Sequence, residues 1–105
     1  MREFDLMVLV KCGLCARHCV KIVELIGEFK DSEIFVTAYT EPESRRVNAK
    51  SVPNLMMLAV PPRTRLHFEV SGSSEEVERE VEQKLTELLT ETFPLLYDCF
   101  SLDAE

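Results

Sequence analysis

The sequence predicts an α+β fold, an open-faced sandwich with helices on one face of a four-stranded antiparallel sheet. Three observations predict it. Alternation of apolar and polar residues with period two recurs at residues 3–10, 33–40 and 65–71, the mark of half-buried strands. Apolar stripes of helical period fill residues 16–29 and 77–89 between and after them. The resulting order, β-α-β-β-α-β-α, is one that layers helices over an antiparallel sheet. The chain of 105 residues has the length of one domain with a real core. Residues 1–93 are expected to form that domain, and residues 94–105 an extension rather than a second domain.

Each element has its own signal. In residues 3–10, Phe4, Leu6, Val8 and Val10 share a face against Glu3, Asp5, Met7 and Leu9. Gly13 breaks the strand. The first helix is expected over residues 16–29, with Cys19, Val20, Val23 and Ile26 on its buried stripe and Lys21, Glu24 and Glu28 toward water. Asp31-Ser32 makes a turn, and Ile34, Val36 and Ala38 share one face of the second strand. Residues 41–44 read as a polar loop and 45–49 as a short second arm of a hairpin. Ser51 suits the N-cap of a short helix, with Pro53 tolerated in its first turn. Pro61-Pro62 ends that helix. In residues 65–71, Leu66, Phe68 and Val70 point inward, while Arg65, His67 and Glu69 point outward, with His67 in a structural role. Ser73 with Glu76 forms a capping-box pattern before the last helix, which carries Val77, Val81, Leu85, Leu88 and Leu89 and is closed by Pro94.

The net charge of −7 is unevenly placed. Residues 1–74 hold ten basic and nine acidic residues, whereas residues 75–91 hold seven glutamates against Arg79 and Lys84. Those glutamates read as a solvated helix face. A nucleic-acid partner is not expected, because neutralising phosphates takes a basic stripe. No apolar run approaches bilayer length, so no membrane association is expected. The N-terminus carries Arg2 but then Glu3 and Asp5, with no signal-peptide pattern. A cytoplasmic location is expected, and there clustered cysteines are more often reduced, catalytic or metal-bound than structural.

The chemistry-bearing stretch is Lys11-Cys12-Gly13-Leu14-Cys15-Ala16-Arg17-His18-Cys19, at the junction of the first strand and helix. A helix N-terminus leaves backbone N–H groups unpaired and carries partial positive charge, so it suits an anion or a thiolate. Cys15, Arg17 and His18 are the candidate catalytic residues. Cys15 can be a surface residue of a degenerate site, a reactive thiolate favoured by the helix end and Arg17, or an acceptor of a phosphoryl group. Cys12 and Cys15 also have the C-x-x-C spacing of a dithiol redox pair. The same spacing with His18 and Cys19 is compatible with zinc or iron, but Cys19 points toward the core, and neither a metal nor another cofactor is expected. His18 itself lies in the first helical turn, where such a histidine is most often solvated or capping. Cys99 falls in the tail among Leu95, Leu96, Tyr97, Phe100 and Leu102, an apolar cluster that folds back on the domain or on a partner.

The chain resembles the histidine-containing phosphocarrier (HPr) family of the bacterial phosphotransferase system. Gly13-Leu14-Cys15-Ala16-Arg17-His18 resembles the family motif Gly-Leu-His-x-Arg-Pro. Ala49-Lys50-Ser51 through Leu58 resembles the Lys-Ser opening of the family's second helix, and Thr64 through Gly72 its last strand and turn. The likeness implies the HPr-like open-faced sandwich. It also places Cys15 where the family has its phosphorylated histidine, and His18 where it has a proline. Arg17 remains, the residue that would steady a phosphoryl group. Ser51 corresponds to the serine that an ATP-dependent kinase modifies in many members, and Val52, Leu55 and Met56 to the apolar face that docks partners. Pro53-Asn54 departs from the flexible pair usual in regulated members. The resemblance therefore implies a regulatory or interaction module rather than a phosphohistidine carrier, and no enzyme in the ordinary sense. Its partners would be phosphotransferase components, a kinase or a transcription regulator. The alternative is a thiol redox or metal protein using Cys12 and Cys15.

Overall fold

The computed structural model describes residues 1–39 and 44–97. Four strands form one antiparallel sheet: β1 (Arg2–Met7), β2 (Glu33–Ala38), β3 (Arg45–Asn48) and β4 (Arg65–Ser71). Their spatial order is β1-β4-β2-β3, so β4, the last in sequence, lies between β1 and β2. Phe4 stands opposite Phe68 across β1 and β4, and Val36 opposite Phe68 across β2 and β4. This register stacks the inward residues of three strands in one row, with the Phe4 and Phe68 rings 5.4 Å apart. Burial alternates along β2 and β4, so one face of the sheet is core and the other is wet.

The helices cover the core face. They are α1 (Ala16–Ile26), α2 (Val52–Met57), α3 (Glu75–Glu87) and a short α4 (Phe93–Leu96). Cys19, Ile22 and Ile26 of α1 and Val81 and Leu85 of α3 meet Ile34, Val36, Leu66, Phe68 and Val70 of the sheet in one fully buried cluster. No helix among the described residues is long and apolar enough to cross a membrane.

Four expectations are corrected. α1 ends at Ile26, three residues early, because Gly27 takes over the last turn. The N-cap of α3 is Ser74, not Ser73: its hydroxyl accepts from the Val77 N–H at 3.2 Å. The glutamate face of α3 is not wholly solvated. Glu78 is 8% exposed, and its carboxylate accepts the Gly72 N–H at 2.9 Å and faces the N-terminal ammonium at 3.6 Å. Finally, the last helix does not stop at Pro94. Residues Leu88–Thr92 widen into a π turn, and α4 begins at Phe93 with Pro94 in its first turn. Proline has no N–H to donate into the preceding turn, so the backbone loosens there and then restarts.

Candidate functional site at the N-terminus of α1

The loop before α1 is fixed by one glycine. Gly13 has φ +79°, and a Cβ there would lie 2.3 Å from the Val60 carbonyl oxygen. The chain can therefore press against residues 60–61, and the Leu14 N–H donates to the Val60 carbonyl at 3.0 Å. That contact hangs the start of α1 from the segment leading into β4.

Cys15 is the N-cap of α1, with extended backbone. His18, three residues on, completes a capping box in the place a glutamate or glutamine usually takes. The Cys15 N–H donates to His18 Nδ1 at 3.0 Å, and Cys15 Sγ lies 3.2 Å from the same nitrogen. A backbone N–H can only donate, so Nδ1 presents its lone pair and the imidazole proton sits on Nε2. Nε2 then donates to the Tyr97 carbonyl at 2.5 Å. His18 is 0% exposed, and its ring meets the Phe93 ring edge-on at 4.7 Å.

The other candidates sort out around this pair. Arg17 is partly exposed, yet its Nε and one terminal nitrogen are buried without a hydrogen-bond partner. Cys19 is 1% exposed, and burial, with the Cys15 thiol nearby, pushes its thiol up to about 11. Cys15 is a half-buried free thiol. Cys12 is disulfide-bonded, and since Cys15 and Cys19 are both free, Cys12 and Cys15 are not joined to each other. No three His, Cys, Asp or Glu side chains among the described residues converge as a metal site. Cys99, Phe100 and Leu102 lie outside the described residues.

Ser51 is the N-cap of α2, half-buried, its hydroxyl accepting from the Asn54 N–H at 3.3 Å. The apolar residues beside it do not share one face. Leu55 is 4% exposed and belongs to the core, whereas Met56 and Met57 are 49% and 63% exposed and Val52 is half-buried. Over a six-residue helix, i+3 and i+4 spacing turns Leu55 inward and its next two neighbours outward. His67 stands on the wet face of the sheet, where Nδ1 meets Asp5 at 2.5 Å and Nε2 meets Glu3 at 2.9 Å.

Of the tail residues expected to fold back, Tyr97 packs on the domain while Leu95 and Leu96 stay exposed; that Phe93 and Tyr97 reach His18 is a contact the sequence reading does not contain. Leu85, Leu89, Phe93 and Tyr97 repeat at intervals of four, straight through Pro94. That spacing was the signal that the helical stripe continues to the site.

A family model for the phosphorylation site of the phosphotransferase HPr component matches residues 2–91. The phosphocarrier protein HPr of Xylella fastidiosa is 33% identical over 93 residues, covering 89% of this chain and 96% of the relative. That of Neisseria meningitidis is 34% identical over the same coverage. Among solved structures, HPr-C-His from Thermoanaerobacter tengcongensis superposes with a TM-score of 0.66 at 28% identity, over 84% of this chain and 93% of that one. An HPr from Bacillus anthracis gives 0.62 at 27% identity, over 85% and 99%. The matched family region ends at residue 91, so Phe93 and Tyr97 reach the site from outside it.

Proposed function

Because the chain belongs to the HPr family of the phosphotransferase system, we propose that it serves there as a docking and regulatory module and not as a phosphohistidine carrier. One observation supports this above the others. His18, the histidine at the α1 N-terminus, is fully buried with both ring nitrogens engaged. A phosphoryl donor needs an open imidazole nitrogen, and His18 offers none. The chain's other histidine, His67, is tied to Asp5 and Glu3 on the wet face of the sheet. Cys15, in the place of the family's acceptor histidine, is the side chain presented at the helix start.

Regulation is assigned to Ser51. Its partly exposed hydroxyl caps α2, and phosphorylation would add about two negative charges beside the exposed Met56 and Met57. The docking face is Val52 with these two methionines; Leu55 holds α2 to the core. Partners are other phosphotransferase components, a serine kinase or a transcription regulator, in the cytoplasm. The test is labelling by an ATP-dependent kinase that modifies HPr serines, with mapping of the labelled peptide. Label on Ser51, lost in Ser51→Ala, is the expected result. Absence of label under conditions that label a regulated HPr would refute the assignment.

A further inference from the structure

We propose that Cys12 pairs with Cys99 in a reversible disulfide, and that this bond latches the C-terminal segment onto the start of α1. The proposal depends neither on Ser51 nor on a docking role. Its first support is a count. The chain has four cysteines. Cys12 is disulfide-bonded, while Cys15 and Cys19 both carry free thiols. Within one chain only Cys99 is left as its partner. Cys99 lies outside the described residues, so the pairing is drawn from the state of the other three.

The second support is where the described chain ends. Tyr97 is held at α1: its carbonyl accepts from His18 Nε2 at 2.5 Å, and Lys21 lies 5.4 Å over its ring. Cys99 follows two residues later, a span of at most about 7 Å. Cys12 belongs to the same end of α1, separated from the N-cap Cys15 by Gly13 and Leu14. It is exposed, and so open to a soluble disulfide.

The third support is that the segment needs a hold. α4 has four residues, too few to persist alone. Phe93 is buried, but Leu95 and Leu96 are 80% and 70% exposed, and Tyr97 is the next apolar side chain to pack on the core. A bond two residues past Tyr97 limits the freedom the segment would gain by leaving His18, and so disfavours the open form. In a reducing compartment such a bond is transient and redox-sensing rather than a permanent staple. It forms by thiol–disulfide exchange. One thiolate attacks glutathione disulfide and releases a first glutathione, and the second thiolate then displaces the other. The chain loses two hydrogens, which leave on two glutathione thiols.

Full-length protein is equilibrated with glutathione disulfide or with excess glutathione. Free thiols are blocked with iodoacetamide, and the unreduced chain is cut with trypsin after Lys11, Arg17 and Lys84. The oxidised sample is expected to give peptide 12–17 joined to peptide 85–105, with one alkyl group, on Cys15. In glutathione the two peptides should separate, with Cys12, Cys15 and Cys99 all alkylated. After oxidation, alkylation of both Cys12 and Cys99 overturns the pairing. So does Cys12 joined to glutathione, to Cys15, to Cys19 or to a second chain.

Chymotrypsin reads the latch, because cleavage of a folded chain follows the population of its open form. Cleavage after Leu96 and Tyr97, scored on quenched and then reduced samples, should be about tenfold faster in the reduced protein than in the oxidised one. Cys99→Ser in glutathione disulfide should be cut at the reduced rate. Equal rates in the two redox states of the natural chain overturn the latch, and so does a Cys99→Ser protein cut at the oxidised rate. If Cys99→Ser fails to fold, the comparison on the natural chain still decides. None of these outcomes touches Ser51 labelling, so the two proposals fail separately.

Discussion

At the scale of single residues, three positions carry the site. Gly13 is the first, because its φ of +79° and the 2.3 Å approach to Val60 leave no room for a side chain. Gly13→Ala is expected to destabilise the fold by about 1–3 kcal/mol or more, as left-handed geometry and the clash add. Urea unfolding followed by circular dichroism measures it; a loss under half a kcal/mol, roughly the surface-mutation range, would contradict the account. Cys15 and His18 are the other two, joined through one nitrogen lone pair. Their arrangement was half-legible in the sequence. The spacing of N-cap and third residue was there to see, but a histidine replaces the usual glutamate, and only packing shows that it is buried. The direction of Leu55 was likewise hidden, since a short helix offers too few turns for its stripe to be read.

At the scale of elements, the strands and their hairpin were legible because alternation with period two is a direct imprint of one-sided burial. The order β1-β4-β2-β3 emerges only in the structure, since no local signal says which strand takes the middle. Helix ends were the weak point. Two serines stand in tandem before α3, and only the structure shows which hydroxyl turns toward the helix. Ser74→Ala should therefore cost about 1 kcal/mol, and Ser73→Ala less than about half of that. Equal losses in thermal or urea unfolding would contradict the cap assignment. The stop expected at Pro94 fails for a physical reason. Proline is a stop in an α-helix, but a π turn before it lets the stripe carry on to Phe93 and Tyr97. Phe93 is 1% exposed against the core and His18, so Phe93→Ala is expected to cost about 3–5 kcal/mol. Near-neutral unfolding data for that variant would mean that the C-terminal segment does not pack on the domain.

At the scale of the whole molecule, the two faces of the sheet divide the labour. The core face holds the helices and, at their start, the site. The wet face is a charged lattice: His67 bridges Asp5 and Glu3, and Arg46 grips Glu69 with two hydrogen bonds while lying over Phe35. Hydrogen bonds to Asp5 first, then Glu3, raise the His67 pKa above its ordinary value. A raised folded-state pKa contributes stability that is fully present below the unfolded value, near 6.5, and is lost as pH rises through the folded value. Unfolding midpoints of the natural chain and His67→Gln should thus differ more in mildly acidic solution than in alkaline solution. A constant difference would contradict the bridging role. The hydrogen bonds from Arg46 hold Glu69 below its ordinary value, so its contribution runs the other way and is lost as pH falls through that lowered value.

The central claim is that this member of the HPr family does not carry phosphate on an imidazole. The most direct measurement is phosphoryl transfer from phosphoenolpyruvate through the general phosphotransferase enzyme, followed by intact mass and mapping of any phosphorylated residue. A regulated HPr of ordinary sequence serves as the positive control. The account predicts no phosphohistidine in this chain, because His18 has no open nitrogen and His67 is bridged on the far face. Stoichiometric phosphate on His18 would contradict it, since phosphate on Nδ1 would displace the Cys15 N–H and phosphate on Nε2 would displace the Tyr97 carbonyl.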